Sequence, residues 1–216
     1  PSGIAAKETI WQVHLLPMLG TKRLDVISTE CVQHVKQQLI KRAPKTVNNV
    51  LTVLSTLLKK AVEWGELERL PCVIKLLPNP KKTMGFHDLD QYERLLTVAR
   101  NRGTDVYLMV LAGGDAGLRL GEIIALEWSD LDLDRRVLTV SRSEWRGQVT
   151  SPKGGRSRRV PLTVALTEAL KAIRHLRGPR IFSRDDGLKA VARPLLRKWL
   201  SRAQRTEGLS DEGGIH

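Results

Sequence analysis

The sequence predicts a multidomain chain, an all-α helical domain followed by an α+β domain that is mostly helical with a small antiparallel sheet. Three observations carry that prediction. Apolar residues recur at helical spacing through the first part of the chain, prolines gather between Pro71 and Pro80, and a stretch after Asp132 alternates with a period of two. The chain has 216 residues, enough for one or two domains, and a chain of that size buries roughly 70% of its unfolded surface. Hydrophobic residues are 41% and charged residues 27% of the total, a globular composition rather than a disordered one. No apolar run approaches the roughly 20 residues of a membrane helix. The opening residues carry no apolar secretory segment, and a start at Pro1 suggests a fragment or a processed chain.

The elements follow in order. Glu8 to about Leu16 is a short amphipathic stretch, expected to stop at Pro17 and Gly20. Ser28 is a candidate N-cap for a helix carrying Val32, Val35 and Leu39, which ends before Pro44. Val47, Val50, Leu51, Leu54, Leu58, Ala61 and Val62 form one continuous apolar stripe, with Gly65 placed to terminate it. Pro71, Pro78 and Pro80, with Lys81, Lys82 and Gly85, read as an extended connector, because proline lacks a donor and disfavours helix in the residue before it. The expected division is therefore a helical domain over 1–78, a linker over 79–85 and a second domain over 86–216. Asp88 and Gln91 resemble a capping box ahead of a stripe of Tyr92, Leu95, Leu96 and Ala99. A helix from Asp105 to Ala116 and a short one through Ala125 and Leu126 come next. Val137, Thr139 and Ser141 alternate with Leu138, Val140 and Arg142 as a strand. Strand-like pieces near Gln148–Pro152 and Arg158–Pro161 flank Lys153-Gly154-Gly155, which predicts a hairpin with Lys153 at its mouth. Helices resume over 163–176 and 191–205.

Charge narrows the choice of partner. Thirty-six basic against 23 acidic residues leave a net charge of +13, which favours a polyanion. Both halves share the excess, so no basic tail accounts for it. Cys31 and Cys72 show neither a disulfide framework nor zinc-ligand spacing. The glycines fit neither GxxxxGK[ST] nor GxGxxG. No metal cluster and no cofactor are expected.

Three positions invite chemistry. Arg119 follows a helix between Gly117 and Gly121, where a guanidinium can be presented to two oxygens of one phosphate. Glu122 lies three residues on, on the same helical face; taken alone, the pair also reads as a surface ion pair. Lys153 stands near Arg156, Arg158 and Arg159, able to grip phosphate or protonate a leaving oxygen, or simply to be a solvated tip. His216, as the last residue, carries nothing by itself.

Taken together, these motifs change the reading. A basic helical module and a Pro-rich linker precede Ala116-Gly117-Leu118-Arg119-Leu120-Gly121-Glu122-Ile123 and Leu126-Glu127-Trp128-Ser129-Asp130-Leu131-Asp132. Pro152-Lys153 and Ser157-Arg158-Arg159-Val160-Pro161-Leu162 follow. From about Lys7 to His216 the chain resembles the tyrosine recombinase, or phage integrase, family. The resemblance implies a core-binding domain over 1–78 and a catalytic domain over 86–216, incomplete at its C-terminus, clamping opposite faces of double-stranded DNA. It implies that Arg119 binds the non-bridging oxygens of the scissile phosphate and that Glu122 supports it. Lys153 would be the general acid for the departing 5′ oxygen, and His216 the first residue of a His-x-x-Arg box. The second arginine of that box and the nucleophilic tyrosine, which the resemblance would place after His216, are absent from this sequence. Tyr92 and Tyr107, the two tyrosines present, sit on helices where core packing suits them. The chain is thus expected to bind DNA without forming a phosphotyrosyl bond.

Candidate DNA contacts are Lys45, Thr46, Asn49, Lys59 and Lys60 in the first domain. Those in the second are Arg142, Lys153, Arg156, Arg158 and Arg159. Lys45 and Thr46 open a helix, where free amides attract anions, and Asn49 suits an adenine edge or a phosphate. The resemblance further implies a bacterial or phage-encoded protein of the cytoplasm, associated with the nucleoid. It would be a monomer free in solution, the full-length protein a tetramer on DNA, with no membrane partner. A second reading stays open, a catalytically inactive DNA-binding regulator or architectural protein derived from a recombinase. An RNA-binding role is disfavoured, since nine aromatic residues leave few for base stacking.

Overall fold

In the computed structural model, residues 2–80, 87–174, 178–183, 193–206 and 208 are described. The chain divides into two compact units, Pro1–Lys82 and Thr83–His216.

The first unit is all helical. It comprises α1 (Ser2–Ile10), a π-helical turn (Trp11–Leu15), α2 (Leu16–Leu19), a 3₁₀ turn (Leu24–Val26), α3 (Thr29–Gln38) and α4 (Pro44–Glu63). Helix runs through Pro17, contrary to the expected stop there, and ends at Gly20. The cause is the π-turn. Leu16 N–H bonds the Trp11 carbonyl, a one-residue shift that puts Pro17 in the first turn of α2, where a missing N–H costs little. Ser28 caps α3, its Oγ accepting from Cys31 N–H at 3.4 Å. Pro44 opens α4 with a preset φ. Gly65, at φ +78°, closes α4 while Glu66 N–H reaches back to the Ala61 carbonyl at 2.9 Å. The stripe from Val47 to Ala61 is buried against Leu15, Val32 and Val35. Asn48 then does for the connector what a strand edge would do. Its amide donates to the Leu77 carbonyl at 2.9 Å and accepts from Leu77 N–H at 2.7 Å. This ties the extended chain after Pro71 onto α4. Most of the predicted linker lies outside the described residues.

The second unit carries α5 (Leu89–Arg102), α6 (Thr104–Gly114), α7 (Leu120–Ile124), a 3₁₀ turn (Trp128–Asp130), β1 (Leu131–Asp132), β2 (Val137–Val140), β3 (Ser143–Trp145), β4 (Gln148–Thr150), β5 (Arg158–Pro161), α8 (Val164–Ala172) and α9 (Arg193–Thr206). The capping box at α5 is present in both directions, Gln91 N–H to Asp88 at 2.8 Å and Asp88 N–H to Gln91 at 3.1 Å. One antiparallel sheet has the order β1-β2-β5, with Leu138 opposite Val160 and Val140 opposite Arg158. A second consists of β3 and β4, joined through Arg146 and Gly147 at φ +51° and +81°, the geometry of a tight two-residue hairpin. The strands flanking Lys153 therefore do not form a hairpin with each other, because β4 is paired with β3 and β5 with β2. The core gathers Leu108, Met109, Ile123, Leu138, Leu166 and Leu196 from five different elements. A small polar knot supports it. Tyr92 and Thr163 hydroxyls both donate to the Asp115 carboxylate at 2.6 Å, joining α5 and the start of α8 to the end of α6.

Candidate active site

Arg119 owes its position to the turn after α6. Gly117 adopts φ +60°, which suits a residue without Cβ. Leu118 N–H then returns to the Ala112 carbonyl at 3.1 Å, and Arg119 begins α7 in extended conformation. Glu122, in the first turn of α7, bonds Arg119 twice. Its Oε2 accepts from the Arg119 backbone N–H at 2.9 Å and its Oε1 from Arg119 Nη1 at 3.1 Å. A third residue joins from β5, Arg158 donating Nη1 to Oε1 at 2.9 Å and Nη2 to Oε2 at 2.7 Å. Glu122 is 1% exposed in its side chain, Arg158 35% and Arg119 53%. One buried carboxylate thus holds two guanidinium groups, and Arg119 is the more open of the two.

Burial by itself raises the pKa of Glu122. The bonds from Arg158 and the Arg119 amide outweigh it and hold the carboxyl below its ordinary range. The same contact with Glu122 raises Arg158.

The loop bearing Lys153 is tied to α7 through the β3–β4 hairpin at one end and through Arg158 at the other. On one side, β3 lies so close to Gly121 that an added Cβ would stand 2.6 Å from Ser143 Oγ and 3.1 Å from the Glu144 carbonyl. On the other, Arg158 itself holds Glu122. Between them Gly155 N–H closes on the Pro152 carbonyl at 2.9 Å, with Gly154 and Gly155 both at positive φ. Lys153 and Arg156 are exposed on this turn. Lys153 is five residues from Arg158, so its Cα lies within about 18 Å of that residue's.

Other predicted contacts fall elsewhere. Arg142 is engaged with acids, Nη1 on Glu127 and Nη2 on Asp130, each at 2.7 Å, with Asp130 the main cause of its raised pKa. It braces the 3₁₀ turn against β2 rather than offering a free cation. Arg159, next to Arg158 on β5, points to the opposite sheet face and is exposed. His216 lies outside the described residues. In the first unit, Lys45, Asn49 and Lys59 are exposed along α4 and Thr46 is partly so. Lys60 donates to both Glu63 oxygens at 2.7 Å. Anion binding at the start of α4 has little backbone to draw on. Pro44 has no N–H, and the Thr46 and Val47 amides both bond the Ala43 carbonyl.

The sequence reading missed one brace. Arg180 pairs with the buried Glu144 and donates to the Ile124 carbonyl at 3.1 Å, while Ile181 N–H bonds Leu126 and Trp128 N–H bonds Pro179. The segment over 178–183 is thereby stitched to the end of α7. Thirty-six positions separate Glu144 from Arg180, and no local pattern pairs them. Among the described residues no group of three or more His, Cys, Asp or Glu could hold a metal ion, and no helix is long and apolar enough to cross a membrane.

Residues 86–209 match the family described as the phage integrase family. The ICEBs1 integrase of Bacillus subtilis (strain 168) is 33% identical over 133 residues, covering 59% of this chain and 36% of the integrase. A protein named tyrosine recombinase XerC-like from Caldanaerobacter subterraneus subsp. tengcongensis is 24% identical over 189 residues, covering 78% of this chain and 47% of that protein. The chain therefore spans less than half the length of these two relatives. In fold it is similar to the Tn1549 transposon integrase in complex with a circular intermediate DNA, with TM-score 0.80 and 17% identity over 100% of this chain and 76% of the other. It is likewise similar to a lambda integrase in a tetramer bound to a Holliday junction, with TM-score 0.77 and 17% identity over 99% and 62%.

Proposed function

The chain belongs to the phage integrase family, and from that premise we propose that it is the DNA-gripping and phosphate-binding part of a site-specific recombinase. The parent protein would cleave and rejoin DNA strands through a 3′-phosphotyrosyl intermediate. The observation that carries the reading is the Arg119–Glu122–Arg158 cluster, in which Glu122 holds Arg119 by its backbone N–H and Nη1 while the Arg119 side chain stays largely exposed. Arg119 takes the non-bridging oxygens of the scissile phosphate, and a fixed cation absorbs the charge that grows on them in the transition state. Lys153, on its anchored turn, donates a proton to the departing 5′ oxygen, a contribution typically of about 10²–10⁴ in rate. Glu122 touches no DNA and orients Arg119. His216 would add a donor to the same phosphate.

Duplex DNA is the partner, held by the exposed cations Lys45 and Lys59 with Asn49 and Thr46 on one unit. Lys153, Arg156 and Arg159 hold it on the other. Monomers in solution and tetramers on DNA for the whole parent, within the bacterial nucleoid, complete the proposal. The domain division at 79–85 belongs to it too. Titrating a labelled duplex against salt tests the binding. Log affinity should fall by about 0.9 per log salt for each phosphate neutralised, and a salt-independent affinity would contradict it.

Neither tyrosine in this sequence suits nucleophilic attack. Tyr92 donates to Asp115, and burial pushes its pKa upward. Tyr107 accepts from Arg100 at 2.6 Å, beneath that guanidinium. A nicked suicide duplex should therefore give no covalent adduct with this chain; an adduct would overturn that part of the reading.

A further inference from the structure

We infer that Arg158 is a positioning residue. Its guanidinium fixes the plane of the Glu122 carboxylate, and through it the direction in which Arg119 presents its donors. The inference rests on the reading of Arg119 as a phosphate ligand and removes Arg158 from the set of cations that touch DNA.

The geometry of one carboxylate carries it. An ionised carboxylate offers about four lone-pair directions, and all four at Glu122 are taken, two by Arg158 and two by Arg119. Arg158 meets both oxygens with its two terminal nitrogens, the fork-on-fork arrangement that admits one relative plane. With that plane set, Oε2 points at the Arg119 amide and Oε1 at its guanidinium. A carboxylate free to rotate about its last bond would lose one or both.

The anchor also comes from outside the element it orients. α7 is a single five-residue turn, too short to hold its own geometry. Arg158 opens β5, where its backbone is paired with Val140 of the neighbouring strand. The sheet thus supplies the rigidity that α7 lacks. For Arg158 to grip a DNA phosphate instead, its two terminal nitrogens would have to leave a carboxylate with almost no access to water. Lys153, Arg156 and Arg159 are exposed and face no such penalty.

The test uses this chain, a short labelled duplex of mixed sequence, and the variants R119A, R158K, R158M and R119A/R158K, each titrated across salt. R158K keeps the positive charge beside Glu122 but replaces the fork with a single point, so charge compensation and plane-setting come apart. The inference expects R158K and R158M each to reduce the slope of log affinity against log salt by about the 0.9 lost in R119A. It also expects R119A/R158K to have the slope of R119A alone. A wild-type slope for R158K, or a double variant losing twice as much, overturns it. Should R158M unfold, E122Q/R158M removes both charges together and should match R119A in slope.

A readout without DNA separates the two layers. Rotation about the Arg119 Cζ–Nη1 bond, followed by nitrogen NMR, should be hindered in the wild type and released in R158K; hindered rotation in R158K overturns the inference even if DNA binding holds. Failure of the wild-type chain to bind duplex, with the NMR difference present, overturns the phosphate reading of Arg119 and leaves only the clamp.

Discussion

Arg158 Nη2 lies 2.7 Å from Glu122 Oε2, while 36 positions of chain separate the two residues. This contact joins the first residue of β5 to the middle of α7, and it stands beneath the guanidinium of Arg119. A carboxylate so held is ionised in the folded state at a pH where the unfolded chain would begin to protonate it.

That difference has a definite pH signature. Because the folded pKa of Glu122 is depressed, the group contributes stability that is fully present above the ordinary carboxylate value of about 4.3. The contribution is lost as pH falls through the lower folded value. E122Q should destabilise the chain at pH 7 by about 1–3 kcal/mol, the range for losing charged hydrogen bonds at a buried group, because the two guanidinium groups left behind still reach water. The gap between wild type and variant should shrink below about pH 4. Thermal unfolding of both proteins across pH 3–8 checks this, and a gap independent of pH would contradict it.

Gly121 is a packing requirement of the same helix. An alanine Cβ there meets Ser143 Oγ at 2.6 Å and the Glu144 backbone carbonyl at 3.1 Å. The hydroxyl can rotate away, but the carbonyl belongs to a paired strand and cannot. G121A should cost about 1–3 kcal/mol, the range for overpacking, read as a lower urea midpoint with an unchanged slope. It should also weaken duplex binding, because the β3–β4 hairpin that carries the chain toward Lys153 must retreat.

The polar knot at Asp115 predicts a milder loss. Y92F removes one of two hydroxyl donors from a carboxylate at the C-terminal end of α6, where a negative charge is already disfavoured. The expected cost is about 1.5–3 kcal/mol, measurable by chemical denaturation, with duplex binding unchanged. Lost binding would move Tyr92 from the core to the interface.

Much of this architecture was legible in the sequence, for local reasons. The stripe from Val47 to Ala61, the Ser28 cap and the Asp88–Gln91 box are contests between residues three and four apart, and spacing alone decides them. The Gly117–Glu122 turn was legible in the same way, and with it the pairing of Arg119 and Glu122. Pro17 misled, because a one-residue π-shift upstream is a property of the whole helix and not of the proline. The partner of β4 misled for another reason. Gly154 and Gly155 mark a turn correctly, but which strands pair across it depends on β2 and β3, which lie outside that window. Arg158, Arg142 and Arg180 each look like loose surface cations in the sequence. Only the fold shows that Glu122, Asp130 and Glu144, 36, 12 and 36 positions away, claim them.

Two neighbouring lysines on α4 offer a last separation of roles. Lys60 already donates to both oxygens of Glu63 at 2.7 Å, one turn further along the helix. Lys59 has no such partner among the described residues. Both lysines are exposed, and the Lys60–Glu63 pair adds little to stability. What differs is the charge each can offer a phosphate, since Lys60 must first release a carboxylate and would bring that negative charge to the DNA with it. K59E should therefore weaken duplex binding more than K60E. It should also lower the salt slope by about 0.9, while K60E lowers it less. Titrations of the two single variants in parallel check this. Equal losses would mean that the Lys60–Glu63 pair opens freely on binding, and no loss in either would remove this end of α4 from the interface.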